Sequence, residues 1–212
     1  MLDLIIVGAG GFGRELLEMV GDVFAPNEYR VKGFLAQDAA GLREHGIDLP
    51  LLGDPEEYQP QPNERFLLAI GFMDVRRRVV EKLTEKGGQF ATFVHPQARI
   101  ARTATIGVGA VIYPFCVVSN SATLAPHVHM NYYSSVGHDC RIGQYVLLAP
   151  YATLNGFVTL EDEVYVSTHA TVAPGRKLGY RSKISANSAC MQDAPENTLV
   201  FGVPGRQVRR ID

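Results

Sequence analysis

The sequence predicts a small α/β unit built on a parallel sheet over residues 1–88, followed by a parallel β-helix with a short tail over residues 89–212. Three observations carry this reading. Read in sixes from Val94, the first position of every hexad through Ile184 is aliphatic or methionine, sixteen times without a slip of register. The fifth position, from Ala98 to Ser188, is Ala, Ser, Cys or Val in every hexad except the one holding Arg176. Ahead of this repeat, the apolar run Leu4-Ile5-Ile6-Val7 meets Gly8-Ala9-Gly10-Gly11-Phe12-Gly13, the pattern of a buried strand turning tightly into a helix.

A period of six fits neither the 3.6 of a helix nor the alternation of a two-layer sheet. It fits hexapeptide repeats in which each hexad is one short strand and one corner, and three hexads close a triangular coil. The aliphatic residue points into the prism and the small residue sits where the wall turns inward. Sixteen hexads make slightly more than five coils, a prism roughly 25 Å long at a strand spacing of about 4.8 Å.

In chain order, Leu4 to Val7 reads as a strand buried on both faces. Gly8, Gly10 and Gly13 match the G-x-G-x-x-G loop, and the following helix carries Leu16, Leu17 and Val20 on one side. Such a loop brings a phosphate to the free N–H groups of a helix N-terminus; the same glycines also serve a tight turn that binds nothing. Tyr29 to Leu35 is a second strand, ending at Ala36 and Gln37 with Asp38 after them. A dinucleotide site wants an acidic residue at that end. Pro50 to Gly53 reads as a short strand and Phe66 to Ile70 as a buried one. Asp74 is expected to N-cap a helix that turns Val75, Val79, Val80 and Leu83 inward and ends near Gly87-Gly88. About three or four parallel strands result, fewer than a full dinucleotide fold needs. Phe90 to Phe93 runs into the β-helix without a linker, and the hexad frame is expected to dissolve after Ala189. An extended Asn197–Phe201, the segment Gly202-Val203-Pro204-Gly205-Arg206 and the basic Arg209 and Arg210 close the chain.

A chain of 212 residues can build a proper core, and a net charge of −2 gives no electrostatic ground for a nucleic-acid partner. Cys116 and Cys140 fall at fifth positions and read, with Cys190, as reduced thiols. No charged segment followed by a cleavage-type site opens the sequence, and no apolar run could span a bilayer. The expected location is the cytoplasm, with no membrane contact.

The hexads resemble those of the hexapeptide-repeat acyltransferases, whose β-helix is left-handed. Gly107, Gly137, Gly143, Asn131, Asn155, Ala149, Ala173 and Gly179 at second positions agree with that consensus. A short α/β unit with a G-x-G-G-x-G loop ahead of an uninterrupted β-helix is similar to the sialic-acid O-acetyltransferase group. That group includes the bacterial enzymes that N-acetylate nucleotide-linked 4-amino-6-deoxy sugars. Gly202 to Arg206 resembles the group's G-x-P-A-[KR] ending, with Gly205 in place of Ala.

His138 is the residue singled out for chemistry. It lies at the third place of its hexad, near a corner, and a histidine can act as a general base near neutral pH. The resemblance implies that His138 and Asp139 are the catalytic pair, that Asn131 lies near the acceptor, and that the Gly156 N–H donates to the oxyanion. His129 is a further expected acceptor contact. The resemblance also places the nucleotide at Gly8, Gly10, Gly11, Phe12, Gly13, Ala36 and Gln37. Coenzyme A is expected along the outer groove of the later coils, at Gly156, Ala173, Gly175, Arg176, Lys177 and Lys183. Arg181, Arg206, Arg209 and Arg210 add positive charge at that end. Two departures bear on the identity of the sugar nucleotide and not on the proposed base: Leu147 stands where the family often has a second histidine, and the N-terminal unit has Phe12 where the family's loop often has a histidine and Ala36 and Gln37 near where it often has acidic residues.

His127 and His129 do not have the spacing of the zinc histidines in trimeric β-helix carbonic anhydrases, so no metal is expected. His95 and His169 read as surface residues. The expected activity is transfer of acetyl from acetyl-CoA to the amino group of a nucleotide-linked amino sugar, in a homotrimer with sites between subunits. The alternatives are O-acetylation of a sugar and a non-catalytic β-helix that binds sugar nucleotides.

Overall fold

The computed structural model describes residues 1–38 and 40–209. They divide into two compact units between Phe93 and Val94. The division falls at residue 93 rather than 88 because Gln89 to Ala91 still pair with Phe66: the Phe66 N–H donates to the Gln89 carbonyl, and the Ala91 N–H to the Phe66 carbonyl.

The first unit is a parallel sheet of β1 (Leu2–Val7), β2 (Tyr29–Leu35) and β3 (Glu64–Leu68) in the order β2-β1-β3. Leu51 adds a single bridge to Phe34 at its edge, where a short strand is expected. Three helices accompany it: α1 (Gly11–Val23), α2 (Ala40–Glu44) and α3 (Met73–Glu85). Helix α2 has no signal in the sequence pattern. Helix α3 starts two residues earlier than expected: Phe72 rather than Asp74 is the N-cap, and Asp74 lies within the first turn. There its charge still favours the positive end of the helix dipole. Ile5, Ile6 and Val7 in the central strand are fully buried. At its start, buried Asp3 takes hydrogen bonds from Arg30 and Asn63, and buried Glu64 takes them from Lys32 and Tyr58. The Arg30 hydrogen bond holds the Asp3 carboxyl below its usual range.

The second unit is a β-solenoid of three parallel sheets. Strands pair at a spacing of 18 residues, as Met130 with Leu148, Val136 with Leu154 and Ile142 with Leu160. From Ile112 onward every first-position side chain is at most 3% exposed. Removing such aliphatic groups from water is the main stabilising term, about 1.5–3 kcal/mol for each. The three cysteines are free and buried, and burial pushes their thiols up. Every fourth position from Gly109 to Asn187 adopts a left-handed φ between 55° and 70°; this is the backbone turn that makes each corner. On one edge, Phe115, Tyr133, Tyr151 and His169 form a continuous stack.

The frame does not end at Ala189. Ala189–Cys190 pairs with Thr171–Val172 at the usual spacing. Then Leu178 pairs with Ala194 and Ile184 with Val200, a spacing of 16 (194 − 178 and 200 − 184). The last coil is therefore two residues short, which hides it from a six-residue reading and brings the solenoid to about six turns. Thr198–Phe201 closes it as an antiparallel hairpin with Arg206–Arg209. Arg210 lies outside the described residues.

His95 departs from its expected place on the surface. It is 6% exposed, because its ring folds back so that Nδ1 accepts the Gln97 N–H at 3.1 Å. His169 is exposed, stacked on Tyr151 at 4.5 Å.

Candidate active site

His138 and Asp139 occupy the third and fourth positions of one corner. The left-handed φ of 60° at Asp139 turns its side chain alongside the preceding residue's, and Asp139 Oδ2 lies 2.8 Å from His138 Nδ1. A carboxylate there favours the proton on Nδ1, which leaves Nε2 with a free lone pair. Both side chains are open to solvent, at 55% and 44% exposure.

One coil further along, Gly156 packs directly against the imidazole. A Cβ at this position would stand 2.5 Å from both Cε1 and Nε2 of His138, closer than side-chain carbons approach. Gly156 thus has a steric reason to be glycine in addition to any use of its N–H. No acceptor among the described residues takes that N–H, while its carbonyl accepts from Gly175. Phe157 follows, its ring perpendicular to the imidazole with centroids 5.0 Å apart. The sequence brings His138, Asp139 and Gly156 together on spacing alone; Phe157 it leaves unmarked, although an aromatic residue 19 positions after a histidine (157 − 138) sits one coil up and one place on.

Other expected residues fall elsewhere. Asn131 lies on the preceding corner, where its Oδ1 accepts the Tyr132 N–H at 2.7 Å. His129 is only 1% exposed, so its ring cannot meet an acceptor at the surface; buried Val111 pairs beside it on the same face. Ala173 and Gly175 continue the edge that carries His138 and Gly156, with open space where a Gly175 side chain would be. The basic residues of the later coils already have partners. Lys177 lies 2.7 Å from Glu161, Arg176 3.7 Å from Asp193, and Arg181 3.4 Å from Glu163. Lys183 lies over the Tyr165 ring at 5.0 Å. The Glu161 carboxylate raises the Lys177 ammonium above its usual range.

The first unit has a cleft of its own, about 420 Å³ in volume. It lies beyond the ends of the parallel strands, where open α/β sheets bind ligands. Gly8, Ala9, Gly10, Ala36 and Gln37 line it, as expected of a phosphate loop and the end of β2. Gly8 holds a φ of 116°, and a Cβ there would meet the Ala69 carbonyl oxygen at 2.5 Å. Gly11, Phe12 and Gly13 belong to the start of α1 and do not line the cleft. Asp38, noted in the sequence just past the end of β2, also lines it, together with residues that the sequence pattern missed: Gly41, Asp54, Glu56 and Arg78. Asp38 and Asp54 each use one oxygen to accept a nearby backbone N–H, and Glu56 pairs with Arg78 at 2.8 Å. Among the described residues no group of His, Cys, Asp and Glu stands close enough together to hold a metal ion, and no helix is long and apolar enough to cross a membrane.

Residues 3–83 match the family of PglD N-terminal domains. Over nearly its whole length the chain is similar to a GDP-perosamine N-acetyltransferase of Escherichia coli O157:H7, 31% identical across 97% of this chain and 96% of the relative. PerB from Caulobacter crescentus, solved with CoA and GDP-perosamine, shares the fold at a TM-score of 0.86 and 23% identity, covering 97% of each chain. The acetyltransferase domain of PglB from Neisseria gonorrhoeae FA1090, solved with acetyl coenzyme A, gives a TM-score of 0.85 at 24% identity over 97% of this chain and 98% of that one.

Proposed function

The chain belongs to the hexapeptide-repeat N-acetyltransferases of nucleotide-linked amino sugars, and from that premise we propose that it moves acetyl from acetyl-CoA to the amine of a nucleotide-linked 4-amino-6-deoxy sugar, with His138 as general base. It is an acetyl-CoA-dependent sugar N-acetyltransferase, so the non-catalytic alternative falls away. The observation that carries the catalytic reading is the His138–Asp139 hydrogen bond at an exposed corner beside Gly156.

In this reading the sugar amine attacks the thioester carbonyl carbon, and Nε2 of His138 takes the proton the amine loses. Asp139 holds the tautomer and faces the imidazolium that forms. The Gly156 N–H, without an acceptor among the described residues, is the donor for the oxyanion. As the tetrahedral intermediate collapses, the carbon–sulfur bond breaks. The thiolate recovers a proton, directly or through water, and leaves as coenzyme A. Phosphates of the sugar nucleotide sit at the Gly8–Gly10 turn, at the N-terminus of α1. Asp38, Asp54 and Glu56 in the same cleft suit a base that offers adjacent N–H donors. Guanine does so through N1–H and its exocyclic amine; uracil and thymine offer one N–H between two carbonyls. The full-length relative named for GDP-perosamine points the same way. A homotrimer with sites between subunits belongs to this reading, and light scattering tests it: a monomer would contradict it.

The test is thiol release from acetyl-CoA with GDP-, UDP- and dTDP-linked 4-amino sugars and their hydroxy counterparts. Turnover with an amino sugar supports the proposal, and turnover with only a hydroxy sugar replaces it by O-acetylation. His138→Ala is expected to lower kcat by about 10²- to 10⁴-fold. A folded variant that keeps near-full turnover would remove His138 from the mechanism.

A further inference from the structure

Phe157 stands where local preferences do not favour it. It is a fourth-position corner residue with φ 62°, a region that bulky side chains rarely enter. It is also 60% exposed. The aromatic corner residues Phe115, Tyr133 and Tyr151 gain from stacking on one another and on His169, with centroids 4.5 to 4.9 Å apart. Phe157 has no such stack. The same place one coil before it is Asp139, and one coil after it is Gly175. Its ring meets His138 instead, perpendicular and 5.0 Å away. Its backbone N–H donates to the His138 carbonyl at 2.9 Å, so the two residues are tied through the backbone as well.

An exposed imidazole held by one carboxylate is not fixed in orientation. The Nδ1–Oδ2 hydrogen bond sets the tautomer, but the terminal torsion of a histidine is broad and the ring can swing about that contact. Gly156 blocks one direction through the close approach of its backbone. The Phe157 ring meets the imidazole on another side. Edge-to-face aromatic contacts are favourable and favour one ring orientation over a small set of alternatives.

We infer that Phe157 is a positioning residue for acetyl transfer: its ring, with Gly156, fixes the plane of the His138 imidazole so that Nε2 meets the attacking amine. This rests on the proposed role of His138 as base. Phe157 itself takes no proton and forms no bond.

The experiment compares Phe157→Ala, Phe157→Leu and Phe157→Tyr with the wild type and with His138→Ala. It uses steady-state kinetics against both substrates, together with NMR of the histidine ring protons, the His138 signals being assigned by their loss in His138→Ala. Misplacement of a catalytic group costs up to about 100-fold. Phe157→Ala is therefore expected to lower kcat about 10- to 100-fold, with both KM values within about two-fold, because substrate binding is untouched. The His138 ring-proton shifts should move as the ring current is lost. Phe157→Tyr should restore both the shifts and most of kcat. If Phe157→Ala fails to fold, Phe157→Leu answers the same question, since it keeps apolar bulk without the ring. Unchanged kcat in Phe157→Ala or Phe157→Leu, a defect confined to KM, or unmoved His138 shifts would overturn the inference while leaving His138 as base. An active His138→Ala would instead overturn the proposed mechanism and this inference together.

Discussion

At the scale of the residue, the site is defined as much by a missing side chain as by those present. His138 and Asp139 could meet on many exposed corners; what distinguishes this one is that Gly156 leaves the ring its place. Gly156→Ala would put a carbon 2.5 Å from two imidazole atoms. The imidazole is exposed, so the ring will move rather than the coil. We expect kcat to fall about 100-fold, the size of effect attached to a misplaced catalytic group, with the melting temperature nearly unchanged. Loss of the fold in that variant, or normal turnover, would contradict this account. The meeting of His138, Asp139 and Gly156 was legible because residues 18 apart must neighbour one another in a triangular coil. His129 and His95 were not. The hexad frame fixes which positions point inward, the first and the fifth, but it does not say what covers an outward side chain or when a ring folds back onto its own turn.

At the scale of the element, the period that reveals the solenoid also conceals its end. A coil two residues short breaks the six-residue frame, yet its strands still pair with the coil before it. Physically, pairing needs only a strand at the right height, whereas a sequence repeat needs equal corners. The closing hairpin explains the departure at Gly205. Its N–H donates to the Ala189 carbonyl at 2.8 Å, and a Cβ would stand 2.5 Å from that same oxygen and 2.7 Å from a Val200 methyl. The backbone here lies too close for the alanine that the family ending usually carries. Gly205→Ala should therefore destabilise the cap by about 1–3 kcal/mol, the usual cost of overpacking. The change should be seen as a lower urea midpoint with faster exchange of the Ala189 and Thr198–Phe201 amides. A neutral or stabilised variant would mean that the cap can shift to admit the methyl group. In the first unit, the acidic lining of the cleft escaped the sequence reading for a related reason. Asp54 and Glu56 are some twenty residues away from the end of β2 in sequence (54 − 35 = 19) and reach the cleft because Pro50 to Gly53 runs beside β2, where the Leu52 N–H donates to the Phe34 carbonyl and the Ala36 N–H to the Gly53 carbonyl.

At the scale of the whole molecule, the chain has two compact units, and under the proposed function each should respond to its own ligand. A ligand that binds only the folded state adds about 2.7 kcal/mol when present at one hundred times its dissociation constant. That stabilisation reaches the amides whose opening would break the binding site, not those of a unit that can open independently. GDP alone is therefore expected to slow hydrogen exchange around Gly8–Gly13, the end of β2 and the start of α3. Coenzyme A alone should slow exchange in the coils from Gly156 to Lys183. The measurement needs no turnover, so it separates binding from catalysis. Protection of the first unit by GDP and not by UDP or dTDP would give the carboxylates of the cleft their proposed role in choosing the base. Equal protection by all three would leave the glycine turn as a phosphate site and remove base selection from Asp38, Asp54 and Glu56. Protection by GDP in the solenoid alone would put the nucleotide in the wrong unit. It would reduce the first unit to a folded domain whose glycine loop serves its tight turn and nothing more, the reading that the loop's sequence by itself always allowed.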